Sequence, residues 1–284
     1  MEKYLNKLGS ASKYLLLYGT LLAFAFLFFF PFYYMFVIAS HPRATMFSTP
    51  PNVWFGGALF DNIRRLLFQQ QQVPFQLNYL NSVAIALLTV VTTVFFCTMG
   101  GFALAKYDFK FKKFIFFFIL ATMAFPPFLN IIPFYRMMAA FGWINRWRAL
   151  IVPGMANAMG IFLMRQYLEE SIPRDLLDAA RIDGLNEFRI LLRVVFPLAK
   201  PAMGVLSIIV FVGQWNNFLG AFILLPRLSV TTLPVALNTL NAVSRGEFGM
   251  VYAGTALTIF PLLLVFFVAS RQFISGLTAG SIKG

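Results

Sequence analysis

Six stretches of this chain, Tyr14–Ser40, Leu80–Ala105, Phe114–Tyr135, Ala149–Met164, Met203–Leu225 and Met250–Ser270, contain no Asp, Glu, Lys, Arg or His. A helix that crosses the hydrocarbon core of a bilayer needs about 20 mostly apolar residues. Inside that core each backbone polar group must be paired within the protein, which favours helices for such segments. The fourth stretch is the shortest and is interrupted by Pro153, Gly154 and Gly160. It is kept as a span because long polar segments flank it. The expectation is an all-α polytopic membrane protein with six transmembrane helices, in one domain over residues 1–284.

Composition closes the other routes. Apolar residues make up 60% of the chain and charged ones only 12%, against about 25% charged in a soluble domain. The 36 Phe residues exclude a disordered chain, which is poor in aromatics. Cys97 and His41 are the only Cys and His, so neither a disulfide framework nor a Cys/His metal site is expected. The net charge of +13 reads as topology and lipid headgroup contact, not nucleic-acid binding. Lys3, Lys7 and Lys13 precede the first stretch, whose apolar run is too long for a cleaved signal. An N-in/C-in arrangement puts about twice as many basic residues on the cytoplasmic side as outside. Trp143 and Trp147 read as interfacial anchors. Without an ionisable group in any span, a gradient-driven secondary transporter loses its main support.

Pro31, Pro126, Pro127, Pro133 and Pro261 fall inside spans. Each removes a backbone donor and bends a helix. They fit helix packing and kinks, or, for Pro126–Pro133 with Asn130 inside it, the lining of a translocation pathway. Gln214, Asn216 and Asn217 are the other candidate pathway groups, with interhelical hydrogen bonding as the alternative use.

Most of the acid lies in one segment, residues 165–201, with Glu169, Glu170, Asp175, Asp178, Asp183 and Glu187. Pro173 suits a first helical turn. Arg174–Asp183 favours helix, with Leu176, Ala179, Ala180 and Asp183 on one face. Gly184 suits a left-handed terminus. Asn186 can cap a second helix that stops before Pro197. The spacing predicts a helix–turn–helix on the cytoplasmic face, a docking knob for a partner.

Here the sequence resembles a family. Asp178-Ala179-Ala180-Arg181-Ile182-Asp183-Gly184, followed by Val194-Val195-Phe196-Pro197, is similar to the EAA signature of ABC-importer permeases. The spacing matches throughout, with Asp178 for Glu, Val194 for Ile and Phe196 for Leu. The resemblance extends over the whole chain to the carbohydrate branch, nearest the MalG-like subunits of maltose transporters. It also rests on Ser48-Thr49-Pro50-Pro51, Asp61-Asn62-Ile63-Arg64-Arg65-Leu66, Gln214-Trp215-Asn216-Asn217-Phe218, Thr232-Leu233-Pro234 and the end, Gly276–Gly284. Many members carry an acid where Asn217 stands.

The resemblance implies a type I ABC importer permease fold in a bacterial plasma (inner) membrane. It implies a heterodimer with a homologous permease, two ABC ATPase subunits, an extracytoplasmic solute-binding protein and a sugar substrate. ATP and Mg would be bound by the partner ATPase. This chain has no GxxxxGK[ST] loop, no cofactor of its own and no catalytic residue. Asp178, Ala179, Ala180, Asp183, Gly184 and Pro197 would couple to the ATPase. The outer loop 227–249, with Leu237, Asn238, Asn241 and Glu247, would meet the binding protein. The tail 271–284 would reach the ATPase interface. A permease for a non-sugar solute, such as glycerol phosphate or a polyol, stays open.

Overall fold

The computed structural model describes residues 2–244 and 248–281, with no strand among them. The helices are α1 (Glu2–Ala39), α2 (Leu59–Arg64), α3 (Phe75–Lys106), α4 (Lys112–Met123) and α5 (Ile131–Ala140). Next come α6 (Arg148–Ile151), α7 (Ala158–Ser171), α8 (Arg174–Ile182) and α9 (Glu187–Ile190). The last are α10 (Phe196–Trp215), α11 (Phe218–Leu224), α12 (Leu233–Val243) and α13 (Phe248–Ser281).

Three of the six apolar stretches, the first, second and sixth, lie on single helices long and apolar enough to cross a membrane, Lys13–Ala39, Phe75–Lys106 and Phe248–Phe267, and a fourth such helix, Glu187–Trp215, takes in only the first part of the fifth stretch. The third and fourth stretches are broken as well. The third becomes α4, a 3-10 turn Pro127–Asn130 and α5, because Pro126 and Pro127 supply no N–H to carry the ladder onward. The fourth becomes α6, a 3-10 turn Val152–Gly154 and α7. Pro31 and Pro261 lie within continuous α1 and α13, and Pro133 sits in the first turn of α5.

Two compact units divide the chain, residues 1–72 with 239–259 and residues 73–238 with 260–284. In the first, α1 leaves its apolar side chains from Tyr14 to Phe30 outward, as a lipid-facing helix does. Its end cannot satisfy its own last carbonyls. The returning chain does so: Ala58 N–H donates to Ser40 O at 2.7 Å and Asn62 Nδ2 to Ala39 O at 2.9 Å. Phe47 stacks edge-on against Phe248, 5.6 Å between ring centroids.

In the second unit, α3, α7 and α10 pack around a core that includes Cys97, Phe102, Met164, Leu168, Ala199 and Leu206. Small residues set the approach of α3 and α7. A Cβ at Gly101 would lie 2.7 Å from Arg165 N, and one at Gly160 would lie 2.6 Å from Cys97 Sγ. Apolar side chains gain little from leaving lipid for a helix interface, so close van der Waals contact through glycine supplies the association. A second cluster, with Ile85, Met138, Ile151 and Leu224, fills the other end of α3.

Candidate functional site

The segment from α8 to the start of α10 is built as a projecting corner. Pro173 precedes α8 in extended conformation. Gly184, at φ +81°, ends it in the left-handed region that glycine enters without steric cost. Leu185 N–H bonds back to Ala180 O at 3.1 Å and Gly184 N–H to Arg181 O at 3.0 Å, the paired bonds of a Schellman terminus. Asn186 then caps α9, its Oδ1 accepting from Arg189 N–H at 2.9 Å.

From Glu187 the chain does not stop before Pro197, as the sequence predicts. It runs through a wide turn, Leu191–Val195, directly into α10. In that turn Phe196 N–H reaches five residues back to Leu191 O. This shift in the ladder comes just ahead of the residue that has no N–H to give.

The predicted coupling residues divide. Ala180 is buried and, with Leu177, which the sequence reading did not include, faces the core of α3, α7 and α10. Asp178, Ala179, Asp183, Gly184 and Pro197 are exposed. Of the small face formed by Leu176, Ala179, Ala180 and Asp183, only Ala180 is seated and the rest is surface. Ile182 is 87% exposed, and Leu176 and Phe188 are each about half exposed. Ile182 and Phe188 were not singled out by sequence reasoning. A bulky apolar residue beside Gly184 and one on the second turn were the available signals.

Both ends of α8 are tied to the corner that follows α3. Asp108 Oδ2 accepts from Arg174 Nη2 at 3.1 Å, and Asp108 Oδ1 from Lys112 Nζ at 3.4 Å. At the other end the Tyr107 hydroxyl donates to Glu187. Arg181 bridges Glu187 at 2.9 Å and Asp178 at 2.6 Å. Lys112 and then Arg174 hold the Asp108 carboxyl below its ordinary value. Burial, and then the Glu187 carboxylate, push the Tyr107 phenol up to about 12, so it keeps its proton. The hydrogen bond from Arg181 to Glu187 raises the guanidinium above its already high value. Sequence reading did not single out Tyr107 or Asp108.

The candidate pathway groups are not gathered into one polar site. Asn217 Oδ1 caps α11 by accepting from Gly220 N–H at 3.0 Å. Asn216 Nδ2 donates to Val212 O at 2.9 Å. These two residues break the fifth apolar stretch between α10 and α11. Gln214 Nε2 is buried with no hydrogen-bond partner among the described residues. Asn130 is exposed just before α5. A small recess of about 190 Å³ joins Ile131 and Phe134 on α5 to Asn217 and Ile223.

The predicted outer loop is ordered at its start. Asn78 Nδ2 donates to Leu228 O at 2.5 Å, Asn81 Nδ2 to Thr231 O at 3.0 Å, and Leu233 N–H to Ser82 Oγ at 2.7 Å. Trp147 Nε1 donates to Val230 O at 3.1 Å. The following helix, α12, leaves Asn238 and Asn241 exposed and Leu237 partly exposed. Glu247 lies outside the described residues.

Comparison with known proteins places the chain among transporter permeases. The family described as "Binding-protein-dependent transport system inner membrane component" matches residues 97–274. The arabinooligosaccharides transport system permease protein AraQ of Bacillus subtilis (strain 168) is 36% identical over 225 residues, 79% of each chain. The lactose transport system permease protein LacG of Rhizobium radiobacter is 34% identical over 266 residues, 94% of this chain and 95% of that protein. Among solved structures, a bacterial ABC transporter involved in the import of the acidic polysaccharide alginate contains a chain that superposes with a TM-score of 0.78. The two are 27% identical, covering 92% of this chain and 97% of that one.

Proposed function

This chain belongs to the family of binding-protein-dependent transport system inner membrane components, and from that premise we propose that it is the membrane-spanning permease subunit of an ABC importer for a sugar or oligosaccharide. A separate ATPase supplies the energy and a solute-binding protein delivers the substrate. The relatives are named for arabinooligosaccharide and lactose transport, and the structural neighbour for alginate import. Those names support a carbohydrate cargo.

In this reading the chain crosses a bacterial inner membrane six times, N-in/C-in, as a single permease domain. Four crossings are the long apolar helices, and two are the broken pairs α4–α5 and α6–α7. It pairs with a homologous permease above two ATPases.

The observation that carries the mechanism is α8. It exposes Leu176, Ala179, Ile182 and the Gly184 terminus while seating Leu177 and Ala180 in the core. The exposed side docks in a cleft of the ATPase, which binds ATP and Mg. When the two ATPases close, α8 is displaced. Its seat carries that displacement into α3, α7 and α10, and the spans rock between inward- and outward-facing states. Asp178, Asp183 and Pro197 belong to the same contact region.

On the outer side, Leu237, Asn238, Asn241 and Glu247 meet the binding protein. Asn130, Gln214, Asn216 and Asn217 offer polar groups along the pathway, with Asn217 also holding the α10–α11 break open.

The test is purification of the chain from its native membrane in mild detergent, with mass spectrometry of what it retains. The expected result is a P-loop ATPase and a second permease, with a sugar eluted from the co-purified binding protein. A phosphorylated polyol in that eluate would overturn the sugar reading. Recovery of the chain alone, transporting solute in proteoliposomes without ATP, would overturn the importer.

A further inference from the structure

Two seat residues, Leu177 and Ala180, anchor the middle of α8. A nine-residue helix held only there would pivot when pushed. The structure adds a tie at each end, and both ties lead to consecutive residues at one end of α3. Asp108 takes Arg174, the first residue of α8, at 3.1 Å. Tyr107 takes Glu187, which in turn holds Arg181 at 2.9 Å near the last residue of α8. The Arg181 guanidinium also lies 6.0 Å from the Tyr107 ring centroid.

Tyr107 is itself fixed to α3. Its N–H closes the helix on Ala103 O at 3.2 Å. Its ring meets the buried Phe102 edge-on, with 5.2 Å between centroids. The ion pairs are solvent-exposed, and such pairs add little to folding stability. What they do supply is direction. One tie ahead of the seat and one behind it leave α8 a single angle against α3.

We propose that Tyr107 and Asp108 are positioning residues for α8, bracing both of its ends on α3 so that a push on α8 moves the bundle instead of swivelling the helix. The proposal rests on the reading of α8 as the ATPase-docking helix.

The experiment uses the complete importer in nanodiscs, with this chain, its partner permease, its ATPases and its native solute-binding protein. Mg·ATP is the probe. The readout is the ratio of ATP hydrolysis with and without the binding protein, alongside the amount of ATPase retained. Tyr107→Phe, which keeps the ring and removes the donor, is expected to lower the ratio about threefold. Asp108→Asn is expected to lower it by a similar amount. Both complexes retain their ATPases in full. Asp108→Arg should be worse, and Asp108→Arg combined with Arg174→Asp should recover most of the loss. That recovery is not expected of a residue needed only for folding.

Gly184→Val, which alters the docking terminus, separates the two readings. If it destroys coupling while Tyr107→Phe and Asp108→Asn keep the wild-type ratio, the brace is wrong and docking stands. If it leaves coupling intact, the docking reading fails and takes the brace with it. Loss of ATPase from the Tyr107→Phe complex would make Tyr107 a docking contact and overturn the positioning role.

Discussion

At the scale of single residues, Gly184 is the sharpest case. A Cβ there would meet nothing within 4 Å, and only its φ of +81° demands glycine. The cost of substitution is therefore backbone strain alone, about 1 kcal/mol or more for an ordinary L residue and larger for a β-branched one. Asn enters this region more readily than other residues. Uptake by the intact importer should fall in the order Gly184→Asn, Gly184→Ala, Gly184→Val, with the last abolished. Equal loss in all three would mean that a partner surface, not the backbone, excludes the side chain. This position was legible in the sequence because a helix terminus announces itself locally. Tyr107 and Asp108 were not, because their partners lie 66 to 80 residues away. Ala180 was read as a docking residue, and its burial follows from which side of α8 the bundle occupies, which spacing alone leaves open.

At the scale of elements, the contact of α3 with α7 rests on adjacent glycines with opposite tolerances. A Cβ at Gly100 would sit 3.6 Å from Ile161, an ordinary contact, while one at Gly101 would sit 2.7 Å from backbone. Gly100→Ala is expected to leave the melting temperature of the detergent-purified chain nearly unchanged. Gly101→Ala is expected to destabilise by about 1–3 kcal/mol, the usual range for overpacking. Equal melting of the two variants would disprove this account of the interface. Apolar run length located three of the four long helices, Lys13–Ala39, Phe75–Lys106 and Phe248–Phe267, and missed the start of the fourth at Glu187. It merged α4 with α5 and α10 with α11. Hydropathy does not register that Pro126 and Pro127 withhold donors, or that Asn217 caps a new helix. The predicted stop before Pro197 failed for the converse reason: a wide turn absorbs a proline that a regular helix would not.

At the scale of the whole molecule, orientation is directly testable. In a Cys97→Ala background, a cysteine replacing Asn238 should react with an impermeant maleimide on intact cells. One replacing Lys110 should react only after the membrane is opened. The reverse pattern would invert the topology. α3 joins these two levels. Near its first turns Asn78, Asn81 and Ser82 grip residues 228–233, and just past its last turn Tyr107 and Asp108 grip α8. Its 32 residues span about 48 Å, and each residue turns the helix by about 100°. α3 is thus a calibrated length. Exchanging side chains along its exposed side leaves the two grips in phase, but a single inserted or deleted residue in its middle rotates one grip by more than a quarter turn from the other. This stretch of the chain is one where substitution is permitted and a change of length is not.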